Sequence, residues 1–233
     1  AGSLLAYGTE PQKRTFLPLI AEGQLMAFGL TEVGIGVNAK KIRAYVEPDP
    51  QLNDGAGGFR LFAMGDRNKL WITNAAHGGL VAIVARLGQD GKQVGLFVLQ
   101  LPQKDIGPED GLGHEFWCRS SNSGVFTSNH NARLHFLNYP IAKDGQIQAD
   151  GVEVLFYCLR MGRCMLAAMS SGYQRMFAAD AAAYAKARDG VGGAVIKHEL
   201  PRQHLGTMLG GALQSRALSH LSLHQDASGT DLA

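Results

Sequence analysis

The feature that most limits the fold is a change in amino-acid composition near residue 150. Residues 151–188 contain no proline and are rich in Ala, Met and Leu, which favour helix. At about 1.5 Å per residue, this stretch predicts a helix of about 55 Å. After a glycine-rich break, residues from about 198 to 223 predict a second helix with apolar side chains at spacings of three and four. The C-terminal part of the chain therefore predicts long helices that pack together.

Residues 26–142 have the opposite character, with short apolar runs of strand length between turn-forming residues. Because no long helices separate these runs, we predict an antiparallel barrel or sandwich rather than a doubly wound sheet. Residues 1–25 predict a helix, a turn and a helix that Thr9 caps. The predicted fold class is α+β in three segments. They are the end of an N-terminal helical domain (1–25), a middle β-domain (26–142) and the start of a C-terminal helical bundle (150–233).

Composition excludes several classes of function. The chain has 233 residues, 45% of them hydrophobic, which is enough for a core, and its formal net charge of +2 indicates neither nucleic acid nor a membrane surface. No run approaches the roughly 20 apolar residues of a transmembrane helix. Three cysteines without CxxC spacing indicate free thiols, so we predict a cytoplasmic protein. The spacings of the histidines after residue 197 fit no compact metal site, and none is predicted.

Two short segments, residues 28–38 and 71–74, contain the residues that could bind a ligand. In the first, Gly34 and Gly36 allow close approach of the backbone to a ligand, and Thr31 adds a hydroxyl group. In the second, Trp71 offers a flat ring and Thr73 a second hydroxyl. Taken separately, each has an ordinary interpretation, a turn between strands and a tryptophan of the core.

Taken in order with four further segments, these motifs resemble the acyl-CoA dehydrogenase superfamily. The matching segments are residues 8–18, 31–36, 68–74, 159–163, 184–192 and 198–199. The sequences of these segments are most similar to those of the large bacterial long-chain enzymes of the superfamily. The resemblance implies FAD as cofactor, with these FAD-binding residues: Phe28, Leu30, Thr31, Glu32, Gly34, Gly36, Val37, Trp71, Ile72, Thr73, Arg188 and His198.

The resemblance also implies a role for each part of that set. Residues 30–32 border the pyrimidine edge of FAD, and Gly34, Gly36 and Val37 its ribityl-phosphate side. Residues 71–73 flank the isoalloxazine ring, with the Thr73 hydroxyl near N5. Arg188 reaches the pyrophosphate from a neighbouring subunit, since an arginine binds phosphate with two parallel hydrogen bonds. Val37 and Arg163 contact the acyl-CoA substrate.

The implied reaction oxidises an acyl-CoA thioester to the trans-2-enoyl-CoA. Hydride passes to FAD and electrons to electron-transfer flavoprotein, in a homodimer or homotetramer. A carboxylate must remove the α-proton. In most of the family it is a downstream glutamate, which we expect beyond Ala233, and the position that a minority uses is Gly162 here. We therefore expect residues 1–233 to be catalytically incomplete by themselves.

Two departures from the family pattern keep alternatives open. Val37 stands where the family has serine, and Arg160 where it has aspartate. One alternative is an acyl-CoA oxidase-like enzyme that passes electrons to oxygen, which Asn38 favours. The other is a non-catalytic homologue or subunit that kept the fold.

Overall fold

A computed structural model describes residues 1–36, 38–121 and 130–228 of the chain. The chain divides into two compact units, Ala1–Cys158 and Leu159–Ala233. Among the described residues, the α-helices are α1 (Gly2–Tyr7), α2 (Glu10–Ala21), α3 (Gly151–Ala187) and α4 (Glu199–Ser228). The strands there are β1 (Met26–Gly29), β2 (Tyr45–Asp49), β3 (Gly58–Ala63), β4 (Lys69–Thr73), β5 (Gly79–Leu87), β6 (Val94–Leu101), β7 (Glu115–Ser120), β8 (Asn131–Ala142), β9 (Asp189–Gly190) and β10 (Gly193–Ala194).

Strands β1 to β8 form one sheet in the first unit, in the order β1-β5-β2-β3-β8-β4, with β6 on β5 and β7 on β8. The long strands β5 and β8 each pair with three others. Strand β1 also lies beside β4, and an isolated bridge joins Glu32, just after β1, to Lys69. The sheet therefore curls until its two ends meet at β1 and β4.

The α+β fold agrees with the prediction, but the sheet is mixed where an antiparallel one was predicted. Strand β5 runs parallel to both β1 and β2 and antiparallel to β6. The reason is the long excursion through β2, β3 and β4, after which β5 enters the sheet in the direction of β1. The apolar runs that predicted β5 and β6 are buried on both faces, and residues such as Ile83 and Phe97 are completely enclosed.

Two β-bulges shape the sheet at β8. The register between β4 and β8 shifts between Lys69 and Ile72, and Trp71 there has a φ of 59°. The register between β3 and β8 shifts as well, beside Asn138 with a φ of 53°. A bulge bends a strand and increases its twist. These two bulges curl the sheet and, at Trp71, turn one side chain out of the strand's regular alternation.

The predicted helices are present. Thr9 caps α2 as predicted, because its side chain accepts the Gln12 N–H while the Gln12 side chain accepts the Thr9 N–H. In the second unit, α3 and α4 are linked by the Ser215 hydroxyl, which donates to Gln174 Oε1 at 2.6 Å. The predicted domain boundaries remain a prediction. No helix in residues 1–36, 38–121 or 130–228 is long and apolar enough to cross a membrane.

Candidate functional site

The loop of residues 31–36, here called the glycine loop, lies where the sheet closes, shortly after β1. Glu32 and Ile35 exchange backbone hydrogen bonds of 3.1 and 3.0 Å across a tight turn, with Gly34 at a φ of 78°. A side chain at Gly34 would therefore be strained. Gly34 and Gly36 are exposed, and no described atom lies within 4 Å of a Cβ added at either position. The loop thus presents open backbone that a ligand can approach.

Backbone hydrogen bonds fasten this loop to β4. The Leu70 N–H donates to the Thr31 carbonyl at 2.9 Å, and the Val33 N–H donates to the Asn68 carbonyl at 3.3 Å. Thr31 and Trp71, which are far apart in sequence, therefore lie on neighbouring segments. The structure brings together the two motifs that sequence analysis singled out.

Trp71 is half exposed, with 50% of its surface accessible, whereas its neighbour Ile72 is 2% exposed and packs in the core. An exposed tryptophan held in the left-handed region is uncommon, and such strain persists only where surrounding structure enforces it. The bulge at β4 supplies that constraint. Trp71 therefore offers a flat apolar surface on the outside of the closed sheet, while the side chain of Ile72 faces away from it.

The Thr73 hydroxyl donates a hydrogen bond of 2.7 Å to Asn131 Oδ1 on β8. Because its proton is engaged there, the oxygen is left to accept a hydrogen bond from a ligand N–H. Asn131 had no role in the sequence analysis. Its position opposite Thr73 in the β4–β8 pairing could be found only from the register of the two strands.

Beneath the loop lies a buried ion pair that sequence analysis also missed. Lys69 Nζ lies 2.9 Å from Glu32 Oε1, and both side chains are fully buried. Glu32 Oε1 also accepts the Ala44 N–H at 2.9 Å, and Oε2 accepts the Arg43 N–H at 2.7 Å. Burial lowers the pKa of Lys69, and the Glu32 carboxylate opposes that shift. The Glu32 side chain is committed to the protein interior, and the whole residue is only 1% exposed.

The remaining predicted positions of the first unit are less distinctive. Phe28, Leu30 and Thr31 are half-buried, and Val37 lies outside the described residues. The cleft that follows β4, about 370 Å³, is lined in part by His77, Lys104 and Cys118. Burial raises the pKa of the Cys118 thiol, and the nearby Asp105 adds to that shift. A thiol with a raised pKa is a weak nucleophile, so this cleft does not indicate cysteine catalysis.

In the second unit, the β9–β10 hairpin brings Arg188 and His198 to the start of α4. The Val195 N–H donates to the Arg188 carbonyl at 2.8 Å, and the His198 N–H donates to the Val195 carbonyl at 3.1 Å. Both side chains are exposed. Arg163 is exposed on α3, about 37 Å along the helix from Arg188 at about 1.5 Å per residue. Arg188 and His198 therefore lie near each other at the start of α4, whereas Arg163 lies far from both of them along α3.

No group of three or more His, Cys, Asp or Glu side chains in the described part of the chain could hold a metal ion. The exposed ring of Trp71 and the open backbone at Gly34 and Gly36 can accommodate a planar organic ligand. Such a ligand would stack on an apolar ring and form hydrogen bonds with hydroxyl and backbone groups at its edges.

Comparisons with known proteins point to one family. Residues 149–230 match the model of the acyl-CoA dehydrogenase C-terminal domain. A probable acyl-CoA dehydrogenase of Mycobacterium tuberculosis, FadE10, is 31% identical over 171 residues, which cover 71% of this chain and 24% of that protein. The chain spans between about a quarter and about half of the length of the first curated relatives that it matches.

Two solved structures share the fold. Butyryl-CoA dehydrogenase from Megasphaera elsdenii superposes with a TM-score of 0.81 at 22% identity, covering 99% of this chain and 57% of that one. A glutaryl-CoA dehydrogenase from Mycobacterium smegmatis, solved in complex with FADH2, gives 0.80 at 23% identity and covers 99% and 55%. The predicted fold is confirmed by both. The family model, the curated relatives and the shared fold agree with the order of the motifs, and the chain belongs to the acyl-CoA dehydrogenase superfamily.

Proposed function

We propose that the protein carrying this chain is an FAD-dependent acyl-CoA dehydrogenase, and that residues 30–36 and 71–73 form one side of its flavin site. The observation that carries the proposal is the exposed Trp71, held by a bulge beside a glycine loop with open space above it. This pairing fits a flat ring with polar edges, because aromatic faces stack and exposed amides bind oxygen or nitrogen atoms.

Each residue of this surface contributes a separate interaction. Trp71 supplies the stacking face. The Thr73 oxygen, whose hydroxyl donates to Asn131, can accept from a ring N–H, which N5 would carry only in the reduced flavin. Exposed backbone at Gly34 and Gly36 lies where a phosphate or ribityl chain can approach. Bound FAD supplies an acceptor for the hydride that leaves the β-carbon of the acyl-CoA.

The proton chemistry needs a carboxylate above the α-carbon, and Glu32 cannot provide it. Its side chain is fully buried and bonded to Lys69 and to two backbone N–H groups. The general base is therefore expected elsewhere in the intact protein, as the family resemblance implies. Oxidation of the acyl-CoA to the trans-2-enoyl-CoA belongs to the proposal, with electron-transfer flavoprotein as acceptor.

Arg188 and His198 are proposed to bind the pyrophosphate part of FAD in a homo-oligomer. Their support is geometric: the β9–β10 hairpin holds both at the start of α4, and both are exposed. The partial positive charge of a helix N-terminus favours an anion. Contacts of Arg163 and Val37 with the acyl-CoA, and a cytoplasmic location, remain predictions of the same proposal.

The absorbance spectrum of the purified full-length protein tests this function. We expect flavin bands near about 370 and 450 nm, as purified or after addition of FAD. The Trp71→Ala variant loses the stacking face, so its Kd for FAD should rise about fivefold, which corresponds to about 1 kcal/mol. The matched control, Leu112→Ala, removes another exposed apolar side chain and should leave the Kd unchanged.

Absence of flavin binding in the full-length protein would refute the enzyme function and favour a non-catalytic homologue. A second experiment separates dehydrogenase from oxidase. The flavoprotein is reduced anaerobically with acyl-CoA and then exposed to air. Slow reoxidation is expected, whereas rapid formation of peroxide would establish the oxidase alternative.

A further inference from the structure

We propose that the buried Lys69–Glu32 ion pair is a positioning device. It holds the glycine loop on β4, in the position that the loop needs to bind the flavin ring next to Trp71. The pair does not touch the proposed ligand surface, since both side chains are fully buried. The inference rests on the proposed flavin site for the identity of the ligand. Its structural part, fixation of the loop, does not depend on that identity.

The Lys69 ammonium group has three protons, and the structure supplies three acceptors. Nζ donates to Glu32 Oε1 at 2.9 Å, to the Val84 carbonyl at 2.7 Å and to the Leu30 carbonyl at 3.3 Å. Leu30 directly precedes Thr31, and Val84 lies in the middle of β5. One side chain thus ties the start of the loop and β5 to β4.

The Glu32 carboxylate is equally well satisfied. Besides Lys69, it accepts the N–H groups of Arg43 and Ala44 at 2.7 and 2.9 Å. The Arg43 side chain then returns to the loop, donating to the Val33 carbonyl at 2.9 Å and to the Asp66 carbonyl at 2.8 Å. The loop is therefore fixed from both sides, by β4 and by the segment before β2.

Stability alone does not account for such a pair. Removing two charges from water is costly, and apolar side chains of similar volume often give equal or greater stability. An apolar pair would fill the same space but would bind neither the Leu30 carbonyl nor the N–H groups of residues 43 and 44. What the charges add is orientation, because their hydrogen bonds fix backbone groups beside the loop at Leu30, on β5 at Val84, and before β2 at residues 43 and 44.

The orientation of these backbone groups matters at the ligand surface. Lys69 lies two residues before Trp71, and the intervening Leu70 N–H donates to the Thr31 carbonyl at 2.9 Å. The separation between Thr31 and Trp71 is therefore set by the same short segments that the ion pair locks. A loosened loop would move the edge-binding groups relative to the stacking face.

The test replaces both charges at once in the full-length protein, as Lys69→Met/Glu32→Gln. The methionine keeps an unbranched chain, and the glutamine oxygen can still accept a backbone N–H. A matched control, Lys13→Met/Glu10→Gln, makes the same change in the exposed ion pair of α2. If the double variant does not fold, Glu32→Asp keeps both charges and withdraws the carboxylate by one methylene, and the same two measurements apply.

The first measurement is amide hydrogen exchange without added cofactor. We expect the N–H groups of Val33, Arg43, Ala44 and Leu70 to exchange about tenfold faster in the Lys69→Met/Glu32→Gln variant, while core amides of β5 keep their rates. Unchanged exchange at these four amides would overturn the inference. So would a uniform increase over the whole first unit, because that result would indicate a general loss of stability.

The second measurement is the affinity for FAD and the absorbance and fluorescence of the bound flavin. At metal sites, groups that orient the ligands contribute about 10- to 100-fold to affinity, and we expect about a tenfold rise in Kd here. An unchanged Kd and spectrum, with a normal wild-type spectrum, would refute the positioning role. If the wild-type protein binds no flavin, the proposed function fails, and amide exchange still decides whether the pair fixes the loop.

Discussion

His135 on β8 shows how a single half-buried side chain couples folding to pH. Its Nδ1 lies 3.2 Å from Asn68 Oδ1, and its ring stacks on Trp117 with centroids 4.9 Å apart. Burial lowers the pKa of His135 below its ordinary value of 6.5, Arg133 acts in the same direction and Glu115 opposes them. Protonation in the folded protein is therefore less favourable than in the unfolded chain.

The sign of the effect follows from proton linkage. Below pH 6.5 and down to the folded pKa, the unfolded chain binds more protons at this position, so stability falls as the pH falls. We expect His135→Gln to reduce the loss of unfolding free energy between about pH 7.5 and pH 5, by less than about 1 kcal/mol after solvent screening. Urea unfolding at both pH values measures it, and an unchanged difference would contradict the assignment.

At this scale the sequence predicted side chains with local signals and missed those with distant partners. Thr9 was identified as a cap from its residue type at the start of a helical pattern, and its partner in the structure, Gln12, is only three residues away. Trp71 and Thr73 were identified by their motif. Lys69 lies in strand β4, and nothing in the sequence pattern of this strand indicates that its lysine is buried. Its partner, Glu32, is 37 residues away in sequence, and only the closure of the sheet brings them together.

Among the elements, α3 begins at a glycine for a steric reason. A Cβ at Gly151 would collide with the Val94 carbonyl oxygen on β6 and lie 2.9 Å from Gly95 Cα. Asp150 caps this helix start by accepting the N–H groups of Val152 and Glu153, each at 2.9 Å. The helix start is therefore seated against the sheet by backbone contacts, which cannot move aside as a flexible side chain can.

We predict opposite effects for two glycine-to-alanine substitutions. Gly151→Ala should destabilise the protein by about 2 kcal/mol, since overpacking forces backbone shifts. Gly206→Ala, inside α4 with no described atom within 4 Å of the added Cβ, should stabilise the helix by up to about 1 kcal/mol. Urea unfolding followed by circular dichroism compares them. Stabilisation by both substitutions would show that helix propensity, not the contact with β6, decides the result.

Regular elements were predictable from the sequence because their signals are local. The predicted helices of residues 151–188 and about 198–223 are observed as Gly151–Ala187 and Glu199–Ser228. The parallel pairing of β5 with β1 and β2 was not predictable, since it depends on where the chain returns after three strands. The bulge at Trp71 was missed for a similar reason, because it is a property of the pairing with β8.

Across the whole molecule, the division of apolar surface between the two units is uneven. In the first unit, apolar side chains fill the inside of the sheet. In the second unit, α3 carries a row of exposed apolar residues with one or two per turn, each 47–62% exposed: Met165, Met169, Tyr173, Met176 and Phe177. Spacings of three and four place them on one helix face. An apolar row of this kind is typical of surfaces that bind protein.

We therefore predict that the polypeptide of residues 1–233, produced by itself, self-associates and binds the dye ANS through this row. Met169→Lys/Met176→Lys places two charges in the middle of the row and should reduce both effects. Val191→Lys is the matched control, since Val191 is 97% exposed at the tip of the β9–β10 hairpin and is not part of α3.

Sedimentation velocity and ANS fluorescence measure the two effects. Because apolar contact drives this association, it should persist at about 0.5 M salt, where charge attraction beyond a few ångströms is screened. A monomer that binds no ANS would show that this row is not an adhesive surface. Equal effects of the Val191→Lys variant would show that added charge in general, rather than charge on this helix face, keeps the chains apart.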